Sequence, residues 1–244
     1  MLRRAIGHTD KGRVRLKNED AYDIGKFEDG AVWAVVCDGM GGVNGGNVAS
    51  MIAVDAIAKA FTKSYREDAD ANSIRSMLMT ALGAANTYVY EAAKEDEELA
   101  GMGTTAVAVV VKEDTAFIAH VGDSRAYLIR GDSIEQETRD HSMVQLLVER
   151  GELTEEEAMT HPKKNYITRA VGVEEELDVD YNEIPLQDAD VILLCTDGLT
   201  NCVSKEEILS IIQENGALAS PDLLVEQAIE HGGNDNITVV VIAQ

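Results

Sequence analysis

Residues 104–138 read TTAVAVVVKEDTAFIAHVGDSRAYLIRGDSIEQET. Apolar runs rich in β-branched residues, TAVAVVV, TAFIAHV and RAYLIR, follow one another here with only short polar turns such as KED and RGD between them. Such runs bounded by turn residues are strand signals. Short connections join antiparallel neighbours, whereas parallel strands need a crossover of about a dozen residues or more. The stretch therefore predicts antiparallel hairpins and argues against a strict βαβ alternation.

Further strand signals lie on both sides, in AVWAVVC (31–37), DVILLC (190–195) and NITVVVIA (236–243). Two helical patterns stand between the first of these and residue 104. Val48, Met51, Val54, Ala58 and Phe61 form one apolar stripe, and Ile74, Met77, Leu78, Ala81, Leu82, Ala85, Tyr88 and Val89 form the second. Spacings of three and four put each set on one helix face. The expected class is α+β, with sheet in the middle and helices packed outside. Residues 140–172, with two short helical stretches around His161-Pro162, read as an irregular insertion near one end of the sheet. The 244 residues, 45% of them hydrophobic, suffice for one substantial core, so a single domain over 1–244 is expected.

With 44 acidic against 21 basic residues, the net charge is −23. Such a chain repels polyanions, which excludes nucleic acid as a ligand class. Most of the acidity is solvated surface, as in EDEE at 95–98. No apolar run approaches the roughly 20 residues of a membrane helix, and MLRRAIGHTD has no apolar stretch suited to a signal peptide. A soluble, cytoplasmic protein with no membrane insertion is expected. Cys37, Cys195 and Cys202 are odd in number, and the first two sit inside apolar runs, so they read as buried thiols.

The chemistry is concentrated at strand ends. Asp38, Asp123, Asp197 and Asp235 each stand at one end of an apolar run, three of them beside a glycine or serine. One Asp-Gly pair is ordinary turn chemistry. Four carboxylates at the mouths of buried strands converge on one rim of a sheet, where they repel unless something positive sits between them. Mg²⁺ or Mn²⁺ meets that need, since hard cations prefer carboxylate, carbonyl and water oxygens, and no cysteine or histidine set competes for a softer metal.

At this point the chain resembles a family in order along nearly its whole length. Asn18-Glu19-Asp20, Asp38-Gly39-Met40-Gly41-Gly42, Gly103-Thr104-Thr105, Val121-Gly122-Asp123-Ser124-Arg125, Asp140-His141-Ser142, Thr196-Asp197-Gly198 and Asn234-Asp235-Asn236 are similar to the successive motifs of the type 2C metal-dependent protein phosphatases, in their compact bacterial branch. The resemblance implies a central antiparallel β-sandwich flanked by pairs of α-helices in four layers. It implies phosphoserine and phosphothreonine hydrolysis by a metal-activated bridging hydroxide in a binuclear Mn²⁺ or Mg²⁺ centre, with no covalent intermediate. Asp38 matches the bridging ligand and Gly39 a carbonyl ligand. Asp197 and Asp235 match the other carboxylates of the centre, while Asp20 and Glu19 match acids that reach the metals mostly through water. Asp123 matches a ligand of a third, weaker site. Arg15 matches the phosphate-binding arginine, and its guanidinium fork suits a phosphate dianion. Arg13 competes for that role, since as a period-2 neighbour it points the same way on a strand.

Met40 departs from the pattern of many eukaryotic members, which have a histidine there to protonate the leaving oxygen. Water, His141 or His161 stand as alternatives for that proton, with water favoured. His120, inside TAFIAHV, reads as a core histidine. Residues 140–172 resemble the flap that borders the family's active site. Phosphoproteins, a serine/threonine kinase among them, are the implied partners of a monomeric enzyme.

The rivals fail on residues. Gly39 to Gly46 follows a strand as a dinucleotide-binding loop does, but Asn44 takes the third glycine's place and Asp38 sets a negative charge beside the pyrophosphate. There is no Gly-Lys-Ser/Thr and no DxDxDG calcium loop. A non-catalytic phosphoprotein-binding module of the same fold predicts lost aspartates, and all the matched ones are present.

Overall fold

The structure is a computed structural model and describes residues 3–41 and 45–244. Gly42 and Asn44 of the glycine-rich run, weighed above, lie outside these described residues. In chain order the elements are β1 (Arg4–Asp10), β2 (Asp20–Lys26), β3 (Val32–Met40), α1 (Gly45–Ser64), α2 (Ala71–Glu95), β4 (Gly103–Thr104), β5 (Ala106–Lys112), β6 (Thr115–Val121), β7 (Arg125–Arg130), β8 (Ser133–Gln136), α3 (Met143–Glu149), α4 (Glu155–Thr160), β9 (Asp180–Pro185), β10 (Val191–Cys195), α5 (Asp197–Thr200), α6 (Lys205–Asn215), α7 (Ser220–Glu230) and β11 (Ile237–Ala243).

Two antiparallel sheets stack face to face. One runs β1-β11-β10-β7-β8, the other β2-β3-β5-β6-β9 with β4 paired on β3. Val36, Val109 and Ile118 meet Leu128, Leu194 and Val240 between them. The opposite faces are also covered. Trp33, Val35 and Val110 pack under Ile57, Phe61 and Leu82 of the α1–α2 pair, while Leu193, Val239 and Val241 pack under Ile208, Leu224 and Ala228 of α6 and α7. The inner strands are buried on both faces, so they read as continuous apolar runs, and the expected four-layer α+β arrangement results. Each fully buried aliphatic side chain contributes about 2 kcal/mol by leaving water.

The structure corrects several local readings. TAFIAHV and RAYLIR are not a hairpin: β6 and β7 belong to different sheets, and the chain crosses the sandwich at Gly122–Ser124. Gly122, at φ +103°, makes that crossing in a conformation that favours glycine. Arg13 and Arg15 lie in a turn between β1 and β2, so strand periodicity does not align them. The buried face of α1 uses Ala49, Ala53 and Ile57, leaving Met51 exposed, and Tyr88 of α2 is exposed as well. Small residues face the sheet because α1 lies close upon β3. Both helices of the 140–172 segment precede His161-Pro162 rather than flanking it. Cys37 and Cys195 are buried and Cys202 half-buried, all as free thiols. No helix among the described residues is long and apolar enough to cross a membrane.

Candidate active site and metal centre

Five separate elements bring carboxylates to one end of the sandwich. Asp20 opens β2 and faces Asp38 across the β2–β3 register. Asp197 opens α5 directly after β10, Asp235 stands just before β11, and Asp123 lies in the crossing from β6 to β7. Their mutual influence is strongest at Asp38, where burial and the charges of Asp20, Asp197, Asp123 and Asp235 hold the carboxyl well above its ordinary range. A face of Asp38 and of Asp197 stays open to solvent, but protein surrounds the rest, so loss of water outweighs the exposed edge. Burial likewise raises Asp197, with Asp235 adding to it. Burial, then the charges of Asp197 and Asp140, push Asp123 up to about 7.

Asp20 has the most elaborate support. Its Oδ2 accepts the hydroxyl hydrogens of Thr238 at 2.6 Å and Thr196 at 2.9 Å. The Thr196 hydroxyl oxygen in turn accepts from the Thr238 amide at 3.0 Å. Oδ1 is buried without a partner. Burial outweighs the two hydroxyl bonds and lifts the Asp20 carboxyl to about 7. Asp38 is pinned through its backbone: its amide donates to Thr105 Oγ1 at 2.9 Å, and its carbonyl accepts from the Thr105 amide and the Thr104 hydroxyl.

Gly39 is where α1 comes down on β3. A Cβ there would lie 2.0 Å from the Gly46 carbonyl oxygen and 2.6 Å from that of Glu19, so no side chain fits. The Glu19 carbonyl accepts from the Gly39 amide and the Ser50 hydroxyl, which sets its carboxylate against the start of α1. Asn236 closes the arginine-bearing turn by donating to the carbonyls of Lys11 and Lys17 while accepting from the Glu19 amide. Within that turn Arg15 Nη2 donates to Asp235 Oδ2 at 2.9 Å with its side chain about half exposed. Of the two arginines, Arg15 thus reaches the cluster, while Arg13 anchors the turn through its amide on Gly233.

The residues fit hard divalent cations. An orphaned carboxylate oxygen, backbone-pinned neighbours and mutually repelling carboxyls with raised proton affinity all call for positive charge between them. Among the described residues the three metal-ligating groups that approach within 4.8 Å of one another are His120, His141 and Asp180, not the aspartates.

The histidines lie elsewhere. His141 is buried; its Nδ1 accepts from the Gly122 amide at 3.1 Å and its Nε2 lies 3.3 Å from Asp180 Oδ2. Both ring nitrogens are engaged, which leaves none to protonate a leaving group. His161 ends α4 and accepts from the Lys163 amide. His120 is a core histidine as expected, with Nε2 on the Arg139 carbonyl at 2.9 Å. The 140–172 segment borders a cleft of about 730 Å³ that Asp123 and Asp197 also line. Lys164 crosses it to Asn201, which donates to Asp197.

Sequence reasoning gave no role to Thr196, Thr238 or the Asp180–His141 pair. Thr196 and Asn236 stood in the quoted motifs, yet their partners are 176 and 217 residues away and leave no local signal.

Fold and site together are those of a four-layer sandwich enzyme with a carboxylate-built centre. The sequence pattern of protein phosphatase 2C matches residues 8–222, and the chain belongs to that family and is a phosphatase. The serine/threonine phosphatase Stp of Listeria innocua is 40% identical over 96% of this chain and 93% of its own length. The structure of Stp1 from Staphylococcus aureus superposes with a TM-score of 0.93 at 38% identity, covering 100% of this chain and 95% of that one. The catalytic domain of the phosphatase PstP, solved with two manganese ions, gives a TM-score of 0.87 at 33% identity over 99% of this chain and 97% of that one.

Proposed function

We propose that this phosphatase hydrolyses phosphoserine and phosphothreonine in proteins at a binuclear Mn²⁺ or Mg²⁺ centre held by Asp38, Gly39, Asp197 and Asp235, with Asp20 and Glu19 acting mostly through water and Asp123 at a weaker third site. The carrying observation is the convergence of Asp20, Asp38, Asp123, Asp197 and Asp235 on one end of the sandwich, where Asp20 Oδ1 is buried without a partner. When bound, the cations supply an activated water and neutralise phosphoryl charge.

The chain's own groups do the rest. Arg15 stands in a solvent-open turn with its guanidinium on Asp235, from which it can turn a fork to the phosphate and orient it. Met40, a thioether with no proton to give, lines the neighbouring pocket with Ile167 and Arg169, so solvent protonates the departing serine or threonine oxygen. No covalent enzyme intermediate is required. Residues 1–244 act as one catalytic domain with 140–172 as its flap. The enzyme works in the cytoplasm as a monomer on phosphoproteins that include a serine/threonine kinase.

The test is hydrolysis of p-nitrophenyl phosphate and of a phosphothreonine peptide by metal-stripped protein, with and without Mn²⁺. Turnover is expected only with Mn²⁺, with Asp38→Asn and Asp235→Asn each losing more than about a hundredfold. Arg15→Ala is expected to retain Mn²⁺ and lose about ten- to hundredfold in kcat/KM, the equivalent of a charge-assisted hydrogen bond. Undiminished turnover in either aspartate variant overturns the assignment, and an unaffected Arg15→Ala moves the phosphate contact to Arg13.

A further inference from the structure

His141 grips Gly122 twice. Its backbone amide donates to the Gly122 carbonyl at 2.9 Å, and its ring Nδ1 accepts the Gly122 amide at 3.1 Å. An Nδ1 that accepts has no proton, so the neutral ring carries its hydrogen on Nε2, which lies 3.3 Å from both Asp180 Oδ2 and Arg169 Nη1; of the two only the carboxylate can accept that hydrogen. Asp180, the first residue of β9, receives Arg169 Nη1 on its other oxygen at 2.8 Å. The His141 carbonyl accepts the Thr168 amide at 2.7 Å, tying the same residue to the stem of the 140–172 segment. His120 stacks on the ring with centroids 4.9 Å apart.

His120, His141 and Asp180 have the composition of a transition-metal site, but the geometry argues otherwise. The Arg169 guanidinium already occupies the cation's place beside Asp180 and His141 Nε2, and the other His141 nitrogen is taken by a backbone amide. What the cluster holds is a piece of backbone: Gly122, at φ +103°, whose next residue is Asp123.

We propose that His141, fixed in its Nε2–H form by Asp180, is the positioning residue for the Gly122–Asp123 crossing and sets how far the Asp123 carboxylate reaches into the cleft. The proposal rests on the role given above to Asp123 as the ligand of a weaker cation site. A carboxylate or carbonyl behind a ligand-bearing segment acts in this way by limiting its orientation rather than by touching substrate.

The experiment compares His141→Leu, His141→Asn and Asp180→Ala in the full chain, stripped of metal and titrated with Mn²⁺ by calorimetry, with amide hydrogen exchange read at Gly122. Asparagine places Oδ1 where Nδ1 stood and keeps an acceptor for the Gly122 amide; leucine does not. In His141→Leu the weakest Mn²⁺ step is expected to loosen about ten- to hundredfold while tighter steps hold. Gly122 exchange should accelerate and kcat should fall with KM little changed. His141→Asn should restore most of both, and Asp180→Ala should fall between. Unchanged Gly122 exchange and Mn²⁺ affinities in the leucine variant overturn the proposal, as does an asparagine variant no better than leucine.

Should the leucine variant fail to fold, nitrogen NMR of the unaltered protein still decides: a proton on His141 Nδ1 overturns the proposal and a bare Nδ1 coupled to the Gly122 amide supports it. A protein that binds no Mn²⁺ at its tighter sites defeats the metal-centre reading instead, and Gly122 exchange continues to judge the positioning role on its own.

Discussion

The Asp20 carboxylate takes two threonine hydroxyls on one oxygen and nothing from the protein on the other. Without a cation its burial outweighs those bonds, and its proton affinity rises from the ordinary 3.8 to about 7. Asp123 is lifted to about 7 by the same cause, and Asp38 beyond the ordinary range. A raised folded-state pKa means that the metal-stripped native protein holds protons which the unfolded chain has released. Stability then falls as pH rises from about 4 through 7, by up to about 1.4 kcal/mol per unit for each such group. Carboxyls whose affinity is lowered, such as Asp29 and Asp190, contribute in the opposite sense below that window, and the His120 and His141 rings, lowered by burial, do so within it, two groups against the four raised aspartates. Thermal melts of metal-stripped protein from pH 5 to 8 should therefore show Tm declining with pH, and Mn²⁺ should add most at the alkaline end. Asp20→Asn keeps an oxygen for both hydroxyls and removes one titrating group, so its melts should decline less steeply. A slope unaffected by Asp20→Asn would show that Asp20 is already ionised in the metal-free fold.

The crossing from β6 to β7 is the element that turns a sandwich into a site, because it carries Asp123 across the mouth between the sheets. Its far end is fixed by Arg125, whose Nε and Nη2 fork onto Asp140, a nearly buried carboxylate that also receives Gln136 Nε2 at 2.8 Å. Breaking one side of a buried pair leaves the other charge uncompensated, which costs about 3–5 kcal/mol. Arg125→Leu is accordingly expected to lower Tm by roughly 10 °C at this chain length. A melt within a degree or two of the parent protein would show that Asp140 finds water instead.

At this scale the sequence was legible where both faces of a strand are covered. β3, β5, β10 and β11 each carry a nearly continuous apolar run and give themselves away. Half-buried β1 and β9 mix polar and apolar residues because each pairs on one side only, and they escaped notice. In α1, Val54 and Phe61 of the sequence stripe are buried and Val48 and Ala58 pack against the same core, but Met51 is exposed because Ala49, Ala53 and Ile57 complete the buried face. Four of the site's aspartates were legible from their places at strand ends, whereas the hydroxyls that orient Asp20 join strands that only the fold brings together.

Over the whole molecule the charge stays strongly negative after a few divalent cations are bound, since 44 acidic residues stand against 21 basic ones, a net −23. At physiological salt the screening length is about 8 Å, so distant acids act weakly on a docking peptide and those at the cleft matter most. Glu135, Glu149 and Glu155 stand on that lining with Arg139, Lys164 and Lys205 against them. The wider field adds to the acidic side at low ionic strength, where steering raises encounter rates for oppositely charged ligands. Phosphothreonine peptides with lysine flanks should then surpass glutamate-flanked ones in kcat/KM, by several-fold at about 20 mM salt and far less at about 300 mM. A small aryl phosphate measured in the same buffers controls for salt acting on the catalytic centre itself. A lysine-to-glutamate ratio that does not change with salt would assign the preference to direct contacts in the cleft, and a ratio near one throughout would show that the acidic surface has no part in choosing substrates.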